Sequence, residues 1–169
     1  MTTTSAENAL DIRLPYAGGP ISARLARGIS LGTIEVQDVP ALADPRAAVR
    51  HAIDHPIGQE RGLFEIVKPG EKVLILVSDA FRQTRADEVL PAILEGLNAA
   101  GIPDGDVSVL FASGTHRPPR PDEQKAILGE AVYQRLAPKL FLHDPRDESN
   151  LTEVGVTSRG TRVRINSRL

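Results

Sequence analysis

The sequence contains no cysteine and no tryptophan, one methionine, and only 4% aromatic residues. Without cysteine, disulfides, thiolate metal sites and cysteine nucleophiles are excluded together, which suits a reducing cytoplasm as the expected compartment. So few aromatics cannot furnish a base-stacking surface. A net charge of −2 leaves no basic field to attract a polyanion, so no nucleic-acid partner is expected. No apolar run approaches the roughly 18 residues of a membrane helix, and no membrane partner is expected. The opening "MTTTSAENAL" lacks the basic-then-apolar pattern of a secretory signal. Phosphate-binding and nucleophile-elbow fingerprints (G-x-G-x-x-G after a strand, G-x-x-x-x-G-K-[ST], G-x-S-x-G) are also missing.

What is present is the balance of an ordinary globule: 169 residues, 41% hydrophobic and 25% charged. Residues 1–8 are small and polar and read as a disordered tail, with residues 9–169 forming the folded domain. "LDIRLPY" and "GGPISARLARG" read as two strands around the turn Ala17-Gly18-Gly19-Pro20, and "GTIEVQDV" as a third. Beyond Pro40 the texture changes. Asp44-Pro45 is a helix start, "RAAVRHAID" continues it, and "GLFEIVK" is a second short helix closed by Pro69-Gly70.

From Lys72 onward, apolar strands alternate with helices. "KVLILVSD", "VSVLFASG" and "KLFLHD" are the strands; "ADEVLPAILEGLNAAG" and "PDEQKAILGEAVYQRL", interrupted near Gly129, are the helices. This alternation predicts an α/β fold: a mostly parallel sheet with flanking helices in Rossmann-like layering, plus the small N-terminal β unit. "NLTEVGVTSRGTRVRIN" reads as a hairpin turning at Ser158-Arg159-Gly160.

Parallel strands present their carboxyl ends along one edge, where open α/β sheets bind ligands. Here the three strands end in Ser78-Asp79, in Gly114-Thr115-His116-Arg117 and in His143-Asp144, with Arg82 following the first. Adjacent strands would bring Asp79 within hydrogen-bond reach of His116. A histidine is the natural general base near neutral pH. A neighbouring carboxylate would fix its tautomer, and arginine binds a carboxylate or phosphate with a bidentate fork. Plainer readings stand beside these. Asp79 can cap a helix, Arg82 and Arg117 can be solvated charges, and His143 can be satisfied by backbone. His51 and His55 are four apart on a helix, but with no third ligand they read as a solvated face. His116 is hardest to explain away, because a simple turn has no need of "GTHRPP".

The segments "DHPIG", "KPGEKVLILVSDAFR", "VLPAILEGLNAAGI", "ASGTHRPP" and "TSRGTRVRIN", with the opening "LPYAGG", occur in an order and spacing that resembles the N-terminal domain of the nickel-pincer-nucleotide-dependent lactate racemase family. The resemblance runs from about Ile12 to Asn166. It implies an α/β domain facing a second α/β domain across the active site. It also implies racemisation or epimerisation of 2-hydroxy acids by hydride transfer to a nickel-pincer nucleotide. His116 would be one of two proton-transfer histidines, while Ser78, Asp79, Arg82, Thr115 and Arg117 would bind or orient substrate and cofactor. His143 and Asp144 remain possible additions. The family's second histidine, covalent lysine and nickel ligand have no counterpart before Leu169. The resemblance thus implies that a C-terminal catalytic domain is missing from this chain. On that reading the chain holds no metal ligand, binds no cofactor alone and is inactive by itself.

One departure bears on substrate: Phe81-Arg82-Gln83 stands where relatives often have Thr-Arg-Pro, so the substrate need not be lactate. Two other functions compete. One is a stand-alone nucleotide- or carboxylate-binding module without catalysis. The other is a metal-dependent hydrolase using His116, His143 and Asp144.

Overall fold

The computed structural model of the protein describes residues 9–26, 31, 32 and 34–169. The tail expected at 1–8 lies outside them. The chain forms two compact units, Met1–Ala41 and Leu42–Leu169.

In the first unit, strand β1 (Leu10–Leu14) pairs antiparallel with β2 (Ile21–Leu25), Leu10 opposite Leu25 and Leu14 opposite Ile21. The Gly19 N–H closes the connecting turn on the Tyr16 carbonyl at 3.0 Å. The third strand expected in "GTIEVQDV" does not form, since residues 34–39 are irregular. β-branched residues give that stretch its strand-like look, but strand propensity counts only when a neighbour pairs with it.

The second unit opens with α1 (Pro45–Asp54). The Asp44 carboxylate caps it by accepting the Ala47 N–H at 3.0 Å, and Pro45 occupies the first turn, where a missing N–H costs nothing. Helix α2 (Leu63–Ile66) is a single turn, its Glu65 reaching back to the Gly62 N–H. The sheet follows: β3 (Val73–Val77), α3 (Ala86–Ala99), β4 (Val107–Phe111), α4 (Pro121–Leu128), α5 (Glu130–Leu136) and β5 (Leu140–Leu142). Gly129 separates α4 from α5, at the interruption the sequence marks. All three strands are parallel in the order β3-β4-β5, Val77 level with Phe111 and Phe111 with Leu142. Hairpin β6 (Leu151–Val156) and β7 (Arg162–Asn166) completes the unit.

Period-2 alternation on the central strand explains the packing. Val107, Val109 and Phe111 join Leu90, Leu94 and Leu97 of α3, Leu128 of α4, and Val132 and Leu136 of α5 in one buried cluster. Each such side chain contributes about 1.5–3 kcal/mol relative to exposure. Leu110 is also buried but stands outside that cluster, lining a cavity with Leu76, His143 and Ile165. The central strand is thus fixed from both sides, and the loop after it starts from a rigid base. Among the described residues no helix is long and apolar enough to cross a membrane.

Candidate functional site

The register of β3 and β4 dictates the site. Val77 and Phe111 are level, and the Ala112 N–H extends the pairing to the Val77 carbonyl at 2.8 Å. Asp79, two residues past β3, and His116, five past β4, therefore leave the sheet at the same edge. The chain after Phe111 turns at once: the His116 N–H returns to the Ser113 carbonyl at 3.0 Å. Gly114 has φ of 58°, a left-handed conformation that glycine adopts freely. No atom lies within 4 Å of where its Cβ would stand, so the backbone there is open to an approaching molecule.

This turn aims the His116 ring at Asp79. His116 Nδ1 lies 2.5 Å from Asp79 Oδ2. Asp79 is only 1% exposed, whereas the His116 side chain is 48% exposed. The other carboxylate oxygen of Asp79 accepts the Phe81 N–H at 3.0 Å. Asp79 therefore does not cap helix α3; it spans a local turn and the histidine. The hydrogen bond with His116 holds its carboxyl below the ordinary aspartate range. Burial opposes this, and the Phe81 N–H and the nearby charge of Arg82 assist it. An ionised carboxylate can only accept, so in the neutral ring the shared proton sits on Nδ1 and Nε2 keeps its lone pair. Among the described residues nothing is hydrogen-bonded to Nε2. The arrangement is a base with a fixed tautomer and an open acceptor.

Arg82 stands beside it, Nη1 3.9 Å from Asp79 Oδ2, its side chain 66% exposed. At that distance the pairing is loose and the guanidinium fork remains available. An open groove of about 440 Å³ runs past Arg82, Gln83, Thr84 and Arg85 toward Glu123 and Ile127.

Arg117 is differently employed. The resemblance offers it as a substrate or cofactor ligand and the plainer reading as a solvated charge; its two terminal nitrogens meet the two Glu123 oxygens, each at 2.7 Å. Glu123 also accepts the Arg120 N–H at 2.8 Å, closing the start of α4. These bonds, the Arg117 pair foremost, hold the Glu123 carboxyl down at about 2. His116 and Arg117 diverge because the chain turns here, rather than by the alternation of an extended segment. Glu123 is the participant that sequence reasoning missed. Its signal was available as the glutamate three residues after Arg120 at a proline-led helix start.

The remaining candidates are less engaged. The Ser78 hydroxyl is 3.1 Å from that of Thr84. Thr115 is exposed and makes no side-chain hydrogen bond among the described residues. The His143 N–H continues the sheet to the Phe111 carbonyl, while its Nδ1 accepts from the buried Asn166 amide at 3.3 Å. Asp144 accepts the Arg146 N–H within its own turn. Among the described residues no group of three or more His, Cys, Asp or Glu could hold a metal ion. The hydrolase reading built on His116, His143 and Asp144 therefore finds no ligand set, because each side chain serves a different local bond. His51 of α1 stacks on His55, the residue that caps the helix C-terminus, with ring centroids 4.4 Å apart.

A family described as lactate racemase N-terminal domain matches residues 16–169. Over 118 residues the chain is 28% identical to a lactate racemase of Thermoanaerobacterium thermosaccharolyticum and 27% identical to one of Lactiplantibacillus plantarum. In both cases the match covers 70% of this chain and 27% of the relative, so the chain corresponds to about a quarter of their length. The solved structure of the lactate racemase apoprotein from the former organism superposes with a TM-score of 0.68 at 23% identity. That match covers 93% of this chain and 36% of the other, a likeness of fold.

Proposed function

We propose, from the premise that this chain belongs to the lactate racemase N-terminal domain family, that it supplies one wall of a site that racemises or epimerises 2-hydroxy acids. The observation that carries this reading is the pairing of His116 Nδ1 with the buried Asp79 carboxylate at 2.5 Å, which leaves Nε2 free. In this role Nε2 takes the hydroxyl proton of the substrate as the α-hydrogen departs with its electron pair. The product of that half-reaction is a 2-keto acid. Asp79 stabilises the imidazolium that forms and prevents the ring from turning. Reversal returns the proton from Nε2 to the oxygen. Arg82 holds the substrate carboxylate, and Thr115 and the open backbone at Gly114 belong to the loop that carries His116. Arg117 fixes the loop through Glu123.

A nickel-pincer nucleotide, when bound, supplies the acceptor for the α-hydrogen as hydride. The open backbone at Gly114 suits the close approach of such a nucleotide. The chain covers about a quarter of its relatives' length, which fits a site completed by a second domain that carries the other base. The absence of cysteine suits an enzyme of the cytoplasm. A second reading, anion binding without chemistry, draws on the same loosely paired Arg82.

The test is racemisation by the full-length, cofactor-loaded protein. His116→Ala should lower turnover about 10²–10⁴-fold with little change in substrate affinity. Unchanged turnover would leave only the anion-binding reading.

A further inference from the structure

Phe81 is 62% exposed. Single exposed apolar side chains are ordinary and need no explanation. This one is held in place by the site itself. Its N–H donates to Asp79 Oδ1 at 3.0 Å, and its ring stands edge-on to the His116 imidazole, centroids 4.9 Å apart at 69°. The Arg117 guanidinium carbon lies 5.5 Å from the ring centre. The next residue in the chain is Arg82. The ring is therefore fixed by contacts with the base and its anchor, yet most of its surface stays uncovered.

We propose that Phe81 sets substrate choice: the 2-hydroxy acid taken by this site carries a branched aliphatic or aromatic group on its α-carbon, and that group covers the ring. The inference rests on the function proposed above and names the substrate class within it. An α-carbon of a 2-hydroxy acid has four substituents. The hydrogen leaves, the hydroxyl engages His116, and the carboxylate engages Arg82. The fourth substituent alone distinguishes one 2-hydroxy acid from another. Phe81 touches the base and directly precedes the anion ligand in the chain, so a bulky fourth substituent comes to rest against it. A methyl group would leave most of the ring in water. A phenyl or isobutyl group would remove apolar surface from water on both partners. Discrimination in apolar sites begins at about 10-fold per added methylene, and an open wall sits at that low end.

The experiment measures kcat/KM of the full-length, cofactor-loaded protein for lactate and for 3-phenyllactate. The readout is the ratio of the two values. The wild-type protein should favour 3-phenyllactate by about 10-fold or more, and Phe81→Thr should bring the ratio close to one. Leucine restores an apolar wall, so Phe81→Leu should recover part of the preference. A wild-type ratio near one or favouring lactate overturns the inference, as does a ratio that survives Phe81→Thr; the proposed function stands in either case. If the loaded protein turns over neither acid, the proposed function falls and this inference with it.

Discussion

Asp79 and His116, 37 residues apart in sequence, meet at 2.5 Å because β3 and β4 are parallel neighbours in register. The buried member is the acid and the exposed member is the base, so the charge is fixed and the reactive nitrogen is not. Asp79→Asn tests this division. The amide retains the shape but not the charge, and it can present either an acceptor or a donor to Nδ1. Neutral His116 in the wild-type chain should show a protonated Nδ1 in ¹⁵N spectra, and the variant should show a mixture of tautomers. Turnover of the loaded full-length protein should fall about 10²–10⁴-fold. A variant with an unchanged tautomer and unchanged turnover would mean that Asp79 is only a turn residue.

The Arg82 guanidinium lies 3.9 Å from the Asp79 carboxylate and is largely solvated, so its side chain's contribution to folding is expected to be small, within about 1 kcal/mol. Arg82→Ala should therefore leave the unfolding midpoint of the chain nearly unchanged while weakening 2-hydroxy-acid binding. In the loaded full-length protein the loss should appear in KM at least as much as in kcat. Arg82→Lys keeps the charge but lacks the planar fork, and it should recover only part of the affinity. Binding that survives Arg82→Ala would move the carboxylate elsewhere on the rim.

Gly96 makes a prediction about the frame that holds the site. It lies buried in α3, and a Cβ there would stand 2.0 Å from Cζ of Phe64, with two further ring atoms within 2.4 Å. Alanine would favour the helix by about 1 kcal/mol, but overpacking of this severity costs about 3 kcal/mol. Gly96→Ala should thus destabilise the chain by about 2 kcal/mol in urea denaturation. In a Phe64→Ala background the same substitution should be neutral or stabilising, because the obstructing ring is gone. Equal costs in both backgrounds would show that the ring is not the obstacle.

The parallel sheet was legible in the sequence because "KVLILVSD", "VSVLFASG" and "KLFLHD" are apolar runs separated by helical periods, the pattern of parallel strands joined by helical crossovers. The meeting of Asp79 with His116 followed from that topology and from polar residues at the strand ends. The strand expected over 32–39 failed to form because local propensity cannot specify a pairing partner. The bond that occupies His143 was not legible either. Asn166, which engages His143, comes from a hairpin whose docking no strand-end pattern encodes. The arrangement of Arg117 was hidden for another reason. A left-handed Gly114 bends the loop, and alternation along an extended segment ceases to apply. Its partner Glu123 belongs to a different element.

That partner gives a prediction with a pH signature. Glu123 receives the Arg117 fork and the Arg120 N–H, and its carboxyl is held down from 4.5 to about 2. Because the folded value lies below the unfolded one, the unfolded chain takes up the proton first as pH falls. The stabilisation is therefore complete above about 4.5 and is lost progressively between there and about 2. Glu123→Gln removes the charge, so the wild-type advantage in urea denaturation should be constant at pH 6–8, shrink below about 4.5 and vanish near 2. Arg117→Ala should follow the same course, since each variant breaks the same pair, and the double variant should cost less than the sum of the singles. The loop that carries His116 depends on this pair. Both variants should accordingly broaden the His116 resonances at neutral pH, where the chain remains folded. A pH-independent stability difference would mean that Glu123 acts as a neutral helix cap rather than as the charged anchor of Arg117.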